Sequence, residues 1–437
     1  MKQYFKYGAY GLLALYCLFI ISTVLTRQDY LWDFKCYYFA VKAYNEGLNP
    51  YDTQNLINHY GFYLYAFVYP PLTLLAFQPL SWLDYQVAAW IFVLVKLIML
   101  GILLTLWQRF FLEKQGGLVF YLLCLLAFNG TLFIDFSAGN ISIIEQFFLW
   151  WAFYFWLKGR LKLFCAAVLV AAFFKLVPLA FLGLLIFSRN PRRWYYLGSS
   201  SALGGLLIGA SWLYDRALFG QFLKSMGQID ERGIYNPSLL SLLRDILKIP
   251  PMEKLSLLDG GLYLLIAVII TAVSWYYLRP VLKLKKSPDR EKLILFLACL
   301  VYGLVAPRFK DYSYILLIPA VYFLWLKLNE LGKLKPLIFL VVAVMLPSAN
   351  RNMLGNATLP GFTLLTQILT QYHSLLLAAL TWGFYLYYLR IAIPKRTWRK
   401  VTFQAAHNYF LPLFTNAAGR KRNADQTLST EMRDTPS

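Results

Sequence analysis

The residues most able to do chemistry in this 437-residue chain are a few acidic and basic side chains beside long apolar stretches. Asp33 follows the first apolar stretch, and Lys175, Arg308 and Lys310 lie within or next to later ones. Ionisable groups at a membrane edge indicate a functional site. A carboxylate can take a proton from a hydroxyl group, and fixed cations can hold a phosphate. The set predicts a reaction of an anionic lipid donor with a hydroxyl acceptor.

In this interpretation Asp33 is the general base, and the three cations bind the donor phosphate. Each residue also has a structural alternative. Asp33 could cap a helix that starts at Phe34, because Asp is a preferred N-cap residue. Lys175 could extend from a helix break to the membrane interface. We favour the chemical role for both, and Asp135 and Asp311 are the alternative candidates for the base.

Further polar side chains on the same predicted face are expected to contact substrate. They are Tyr37, Asp52, His59, Tyr69, Asn140, Asn236 and Asp311. Asp52 follows Asn-Pro-Tyr and is also expected to form a turn. Lys96 lies within an apolar stretch, where we expect it to pair with another helix or to extend to the interface. The scattered cysteines and histidines lack metal-ligand spacing, so neither a metal nor a cofactor is expected.

The composition indicates an all-α polytopic membrane protein. Hydrophobic residues make up 59% of the chain and charged residues only 14%, and several apolar stretches reach the ~20 residues needed to cross a bilayer. The first, residues 4–26, is expected to remain as a membrane span because it is too long for a signal peptide and lacks a cleavage site.

The net charge of +21 comes from short basic clusters between apolar stretches. That distribution follows the positive-inside rule and predicts cytoplasmic termini, about twelve membrane segments and an active site that faces outward. A cell membrane, with the inner membrane of a bacterium favoured, is the expected location. No nucleic-acid partner is expected, because no basic cluster is interleaved with stacking aromatics on a soluble domain.

Residues 161–187 are predicted to form two short helices that meet near Lys175. One continuous crossing would place the following arginines outside, and Pro178 disfavours an unbroken helix. Such short segments are typical of re-entrant or broken helices. Residues 62–83 are predicted to be a Pro-interrupted segment at the outer interface. The alternative topology lets residues 62–83 cross fully and residues 161–187 cross once.

The domain organisation is expected to be simple. Residues 1–405 are predicted to form one integral-membrane catalytic domain. Residues 406–437 are predicted to be a cytoplasmic tail without fixed structure, because the tail is polar and lacks apolar periodicity.

Several short motifs occur in the order found in one family of membrane enzymes. They are Asp33-Phe-x-x-Tyr-Tyr with Gly47-x-Asn-Pro-Tyr-Asp52, Val68-Tyr-Pro-Pro, Gly139-Asn-Ile-Ser, Lys175-Leu-Val-Pro178, Asn236-Pro-Ser238 and Ala306-Pro-Arg-Phe-Lys-Asp311. The chain resembles the polyprenol-phosphate-mannose-dependent mannosyltransferases, which are integral-membrane glycosyltransferases of GT-C type. The resemblance implies a GT-C fold, a polyprenyl-phosphate sugar donor, a glycolipid or glycan acceptor and inversion at the anomeric carbon. It also implies a catalytic acid in the first outer loop, which falls on Asp33.

The chain departs from this family at two motifs. Gly139-Asn140 stands where the family has Gly-Gln, and Phe309 and Asp311 stand where it has Trp and His. These differences bear on the sugar and the acceptor more than on the reaction class. The alternative function is a transporter or flippase of lipid-linked glycans, against which stand the absence of a visible inverted repeat and the location of polar residues at one face. A membrane scaffold would leave the broken helix and the outer cations unexplained.

Overall fold

The structure is a computed structural model that describes residues 2–27, 29–113, 117–227, 229–285, 287–347 and 363–394. Within these residues every regular element is a helix, which confirms the all-α prediction. The predicted tail, residues 406–437, and the predicted domain end at residue 405 lie outside the described residues.

Seventeen α-helices are described, and shorter helical turns connect some of them. In chain order they are α1 Lys2–Val24, α2 Trp32–Asn45, α3 Thr53–Tyr60, α4 Pro71–Phe77, α5 Tyr85–Leu106, α6 Leu118–Ala138, α7 Ser142–Leu157, α8 Leu161–Phe174, α9 Arg193–Tyr214, α10 Arg216–Gly227, α11 Leu239–Ile246, α12 Leu257–Leu282, α13 Pro288–Val305, α14 Ile318–Glu330, α15 Leu334–Met345, α16 Thr363–Gln371 and α17 His373–Ala392. The 3-10 helices are Gln78–Trp82, Val177–Phe187, Gly233–Tyr235 and Asp311–Leu317, and Trp107–Phe111 is a π-helical turn.

Five helical stretches in the described part of the chain are long and apolar enough to cross a membrane. They are Tyr85–Phe111, Leu118–Ala138, Leu257–Leu282, Asp311–Glu330 and His373–Ala392. Four shorter apolar helices accompany them: Gly11–Val24, Leu161–Phe174, Val177–Phe187 and Lys335–Met345. The protein is therefore a multi-pass membrane protein, while the predicted number of segments and their orientation stay predictions.

The predicted break near Lys175 is confirmed. Helix α8 ends at Phe174, and Lys175 has extended backbone angles, φ −145° and ψ 131°. A 3-10 helix, Val177–Phe187, follows with Pro178 in its first turn, where a missing N–H costs no helical hydrogen bond. The backbone thus leaves the α-helix at the residues where the sequence predicts it.

The two halves of residues 161–187, helix α8 and the 3-10 helix after it, run in opposite directions. The Lys175 ammonium contacts Ser142, at the start of α7, whereas Arg189, after the second half, donates to the carbonyl oxygen of Leu284, just past the end of α12. Helix α13 begins close to that point and runs 18 residues to the other end of the bundle. The segment therefore returns the arginines to the end opposite Lys175, as predicted.

Residues 62–83 do not form one helix. Residues 62–70 carry no helical structure, and α4 begins at Pro71 and has only seven residues. The two prolines explain this, because Pro70 disfavours helix at Tyr69 and Pro71 suits the first helical position. The predicted Pro-interrupted segment is confirmed, and the alternative in which residues 62–83 cross fully is wrong.

Helix α6 is longer than predicted. The sequence predicts an external turn at residues 135–140 between two apolar stretches, but the helix continues to Ala138, after an interruption at residues 127–130 where the backbone is not helical. Asp135 can lie within the helix because Lys96 of α5 pairs with it at 2.7 Å, and both side chains are 0% exposed. The expected pairing of Lys96 with another helix is confirmed.

Five connections meet at one end of the bundle and position the candidate site. They are the start of α2, the turn between α6 and α7, the break after α8, the segment between α10 and α11, and the segment between α13 and α14. Hydrogen bonds join neighbouring connections. The Leu31 amide, before α2, donates to the Ser137 carbonyl at the end of α6 at 2.7 Å, and the Ser238 hydroxyl, before α11, donates to the Pro307 carbonyl after α13 at 2.8 Å.

Candidate active site

Asp33 is held at the start of α2. Leu31 occupies the N-cap position in a left-handed conformation, φ 59°, and no side chain caps this helix. Asp33 lies in the first turn, and its carboxylate accepts a hydrogen bond of 2.6 Å from the Asn140 side-chain amide. The alternative role of Asp33 as a helix cap is therefore wrong. Its carboxylate instead faces the turn between α6 and α7.

Gly139 allows that turn to approach α2. Its φ is +64°, and a Cβ built on it would lie 2.8 Å from the Cβ of Phe34. A larger residue would be strained by the backbone angle and would also collide with α2. The glycine before Asn140 thus has a structural reason that the sequence motif alone did not reveal.

Asn140 joins the acidic and basic parts of the site. Its Nδ2 donates to Asp33 and, at 3.0 Å, to the Tyr37 hydroxyl. Its Oδ1 accepts from the Lys175 ammonium at 3.1 Å and from the Ser142 hydroxyl at 2.8 Å. The side chain is fully buried, and both ends of the amide are engaged. A satisfied buried network of this kind holds its members rigidly.

Lys175 is the cation on the α8 side. Its ammonium donates to the Ser142 hydroxyl at 2.7 Å, pairs with Glu145 at 3.2 Å and lies 5.0 Å from the centre of the Tyr312 ring. Glu145 was not a predicted site residue. An acid within an apolar stretch is itself a functional signal, so its sequence position could have revealed it.

Arg308 and Lys310 share one carboxylate. The Arg308 Nη2 atom lies 2.5 Å from Glu231 Oε2, and the Lys310 ammonium lies 2.7 Å from Glu231 Oε1. Asn236 fixes their backbone, because its Oδ1 accepts a hydrogen bond of 2.8 Å from the Phe309 amide. Asn236 is thus a positioning residue on the wall behind the cations.

These groups line one cavity of about 1410 Å³. Seven of the predicted site residues contribute to its wall: Asp33, Tyr37, Asp52, Tyr69, Lys175, Arg308 and Lys310. Tyr37 and Tyr69 are joined by a hydrogen bond of 2.8 Å between their hydroxyl groups. Glu145, Glu231 and Tyr312 are further polar residues of the wall, and Phe174, Leu176 and Val177 give it an apolar side.

For both Asp33 and Glu231, burial raises the pKa of the carboxyl group and the nearby cations lower it. Burial raises the pKa of Asp33, against the positive charge of Lys310 and the hydrogen bond from Asn140. Burial also raises the pKa of Glu231, but Lys310 and Arg308 outweigh it and hold that pKa below its usual value. A raised pKa makes the ionised Asp33 a stronger base, whereas Glu231 stays ionised as a partner of the cations.

Several predicted residues lie elsewhere. His59 pairs with Glu46 at 3.3 Å and does not line the cavity. Asp311 accepts a hydrogen bond of 3.0 Å from the Ser374 hydroxyl, away from the cavity wall. Asp135 is buried against Lys96, so neither alternative base has access to the cavity.

Asp52 has a structural task at the edge of the cavity. Its carboxylate accepts a hydrogen bond of 3.1 Å from the Asn55 amide and caps α3, as the expected turn requires. Among the described residues, no three His, Cys, Asp or Glu side chains stand close enough to hold a metal ion.

The comparisons with known proteins agree with a glycosyl-transfer site. A family model, that of glycosyltransferase family 87, matches residues 67–307, which is more than half of the chain. The match includes Tyr69, Asn140 and Lys175, whereas Asp33 lies well before it and Arg308 and Lys310 follow directly after its end. Neither the curated proteins nor the solved structures gave a match.

Proposed function

Because the chain belongs to glycosyltransferase family 87, we propose that this membrane glycosyltransferase transfers a hexose, with mannose favoured, from a polyprenyl-phosphate donor. The acceptor is a hydroxyl group of a glycolipid or glycan at the outer face of a bacterial inner membrane, and the fold is of GT-C type. One observation carries the proposal: the cavity has a partly buried carboxylate, Asp33, and the cations Lys175, Arg308 and Lys310 on its wall.

The reaction is a single displacement. The ionised carboxylate of Asp33 takes the proton of the acceptor hydroxyl as its oxygen forms a bond to the anomeric carbon. The bond from that carbon to the phosphate oxygen breaks at the same time, and the electron pair leaves with the polyprenyl phosphate. The cations stabilise the charge on this leaving group. Attack from the side opposite the phosphate inverts the anomeric configuration.

A lipid-phosphate donor would need no nucleotide-binding domain. The lipid phosphate is already a leaving group, and the cavity offers cations for it beside an apolar side formed by Phe174, Leu176 and Val177. A lipid donor can place its phosphate at the cations and its chain along the apolar side. This arrangement favours a donor that remains in the bilayer.

The test is transfer by the purified protein in proteoliposomes. Radiolabelled polyprenyl-phosphate mannose is supplied with membrane glycolipids as acceptors, and a nucleotide sugar is the matched control donor. We expect label in the acceptor fraction from the lipid donor only. Transfer from the nucleotide sugar alone would contradict the donor class. Movement of intact donor across the bilayer without transfer would favour the transporter alternative.

A further inference from the structure

Glu231 already binds Arg308 and Lys310, the two cations to which the proposed donor phosphate would bind. Its two carboxylate oxygens bind different partners, Oε2 contacting Arg308 and Oε1 contacting Lys310. The phosphate of a lipid-linked sugar also has two non-bridging oxygens that share one negative charge, and it could bridge the same pair of cations. The Glu231 carboxylate therefore offers these cations the same pair of acceptor oxygens that a phosphate would.

The Glu231 side chain can leave this position without movement of its backbone. The side chain is 28% exposed and lines the cavity, so water and ligand can reach it. Its carbonyl oxygen accepts hydrogen bonds from the Asn236 side chain at 3.1 Å and from the Ser241 hydroxyl at 3.3 Å. Rotation of the side chain alone would free the cations.

The neighbours of Glu231 fix the segment further. Arg232 pairs with Asp230 at 2.5 Å and donates to the Ile249 carbonyl at 2.7 Å. The Asp230 carboxylate also accepts from the Met252 amide at 2.9 Å. Both residues beside Glu231 are thus held by contacts that do not involve the cations. The segment stays in place whether or not the carboxylate is paired.

The charges support an exchange of anions. Glu231 and the ionised Asp33 together balance the two positive charges of Arg308 and Lys310, so an incoming phosphate must replace Glu231 rather than add to it. The Glu231 carboxylate is also close enough to Asp33 to raise the pKa of that residue. An anion that takes over the cations would compete directly with Glu231 for the same N–H donors.

We propose that Glu231 holds the place of the donor phosphate before the donor binds, and that the phosphate displaces it from Arg308 and Lys310. This inference rests on the proposed function for the identity of the phosphate as that of a lipid donor. Glu231 is then a residue that sets donor affinity: its carboxylate keeps the two cations ordered and limits how tightly phosphate binds.

The experiment measures binding of farnesyl phosphate, a prenyl phosphate without a sugar, to the full-length protein in detergent. Glu231→Gln and Glu231→Ala remove the competing charge. Glu46→Gln is the control, because it removes one negative charge outside the cavity, where Glu46 pairs with His59. Thermal unfolding of each variant shows that it is folded.

Both Glu231 variants should bind farnesyl phosphate about twofold to fivefold more tightly than the wild type, because an ion pair as exposed as this one is worth ~0.5–1 kcal/mol. Glu46→Gln should be unchanged. Equal or weaker binding by the Glu231 variants, including no binding by any of the proteins, overturns the inference. So does an equal gain in Glu46→Gln, since net charge would then explain it.

Sugar transfer is measured separately with the wild-type protein. If the Glu231 variants bind farnesyl phosphate more tightly but no polyprenyl-phosphate sugar supports transfer, the proposed function fails and the anion exchange at Glu231 stands. If transfer occurs but the variants do not bind more tightly, the inference fails and the proposed function stands.

Discussion

Replacement of Asp33 by Asn separates the chemistry of the carboxylate from its structural contacts. The Asn140 amide donates to one carboxylate oxygen of Asp33 at 2.6 Å. In the Asp33→Asn variant, the new side chain keeps that hydrogen bond when its oxygen is turned toward Asn140, and its own NH₂ group then points into the cavity. Since Asp33 does not cap α2, no helix cap is lost.

The expected magnitudes follow from these contacts. A hydrogen bond to a charged acceptor is worth ~1.5–3 kcal/mol and one to a neutral acceptor ~0.5–1.5 kcal/mol, so the weakened bond costs about 1 kcal/mol. The variant also no longer has to bury a charge at this position, and that gain in stability offsets the cost. Loss of a general base lowers turnover by about 10²–10⁴-fold. Turnover should therefore fall by that factor while the unfolding temperature stays near that of the wild type.

The assay compares kcat and donor affinity of the wild type, Asp33→Asn and the control Glu46→Gln, each purified in the same detergent. Glu46 lies outside the cavity and should give near wild-type turnover. Near-full activity of a folded Asp33→Asn protein would refute the role of Asp33 as the base. Asp135 and Asp311 could not act in its place, because neither has access to the cavity.

The pH dependence gives an independent readout of the same residue. Only the ionised carboxylate can accept a proton, and burial raises its pKa. The value of kcat/KM should thus rise with pH through a pKa above the ordinary ~3.9 of an Asp. In this interval the folded state binds more protons at Asp33 than the unfolded state does, so the Asp33 contribution to stability falls as pH rises. Both the rise in kcat/KM and the fall in stability that Asp33 causes should be absent in Asp33→Asn.

Three further predictions concern the donor, the bundle and the topology. Lys175→Ala should weaken donor binding by about tenfold to a hundredfold, since a charged hydrogen-bond partner is worth ~1.5–3 kcal/mol; wild-type affinity in a binding assay would make Lys175 structural. Lys96→Met should lower the unfolding free energy by about 3–5 kcal/mol, because it leaves Asp135 buried without its partner. The double variant with Asp135→Leu should recover most of this loss. Equal unfolding temperatures of the single and double variants would contradict this prediction. In a background without native cysteines, Gly47→Cys should be labelled from outside and Ser287→Cys only from inside; labelling of both from one side would refute the orientation.

The broken helix shows what the sequence can predict. Proline chemistry and charge counting both indicated a break near Lys175, and the structure has it between α8 and the 3-10 helix Val177–Phe187. Such local rules act within a few residues and are visible in one segment of sequence. The interruption of α6 at residues 127–130 also contains a local signal, because Asn129-Gly130 is a dipeptide typical of turns with positive φ, and both residues have it.

Pairings between distant segments were harder to predict. The sequence predicts Asp135 in an external turn, whereas the structure places it within α6. An acid inside an apolar helix is costly without a partner. Its partner, Lys96, lies 39 residues earlier and comes beside it only when α5 packs on α6. Likewise, Glu231 is 77 residues from Arg308, and the sequence did not indicate that one would bind the other.

The roles of the amide residues differ from those predicted for the same reason. Asn140 and Asn236 were expected to contact substrate, but each is buried and bound to other parts of the site. An amide has donors and acceptors for both purposes, so its type alone does not decide between them. Only the folded arrangement shows that Asn140 has both ends of its amide engaged.

Under the proposed function, the site combines one rigid wall and one exchangeable wall, and the two suit different steps of glycosyl transfer. A general base must be held at a fixed position, because its contribution depends on hydrogen-bond distance; Asn140 does this for Asp33 through a buried network. A phosphate site must bind the donor and then release the product, so its cations need a partner that can take them back. Glu231 meets that requirement, because its side chain is partly exposed and its backbone is held independently of the two cations. A completely buried acid in its place would hold the cations and keep the donor phosphate away from them.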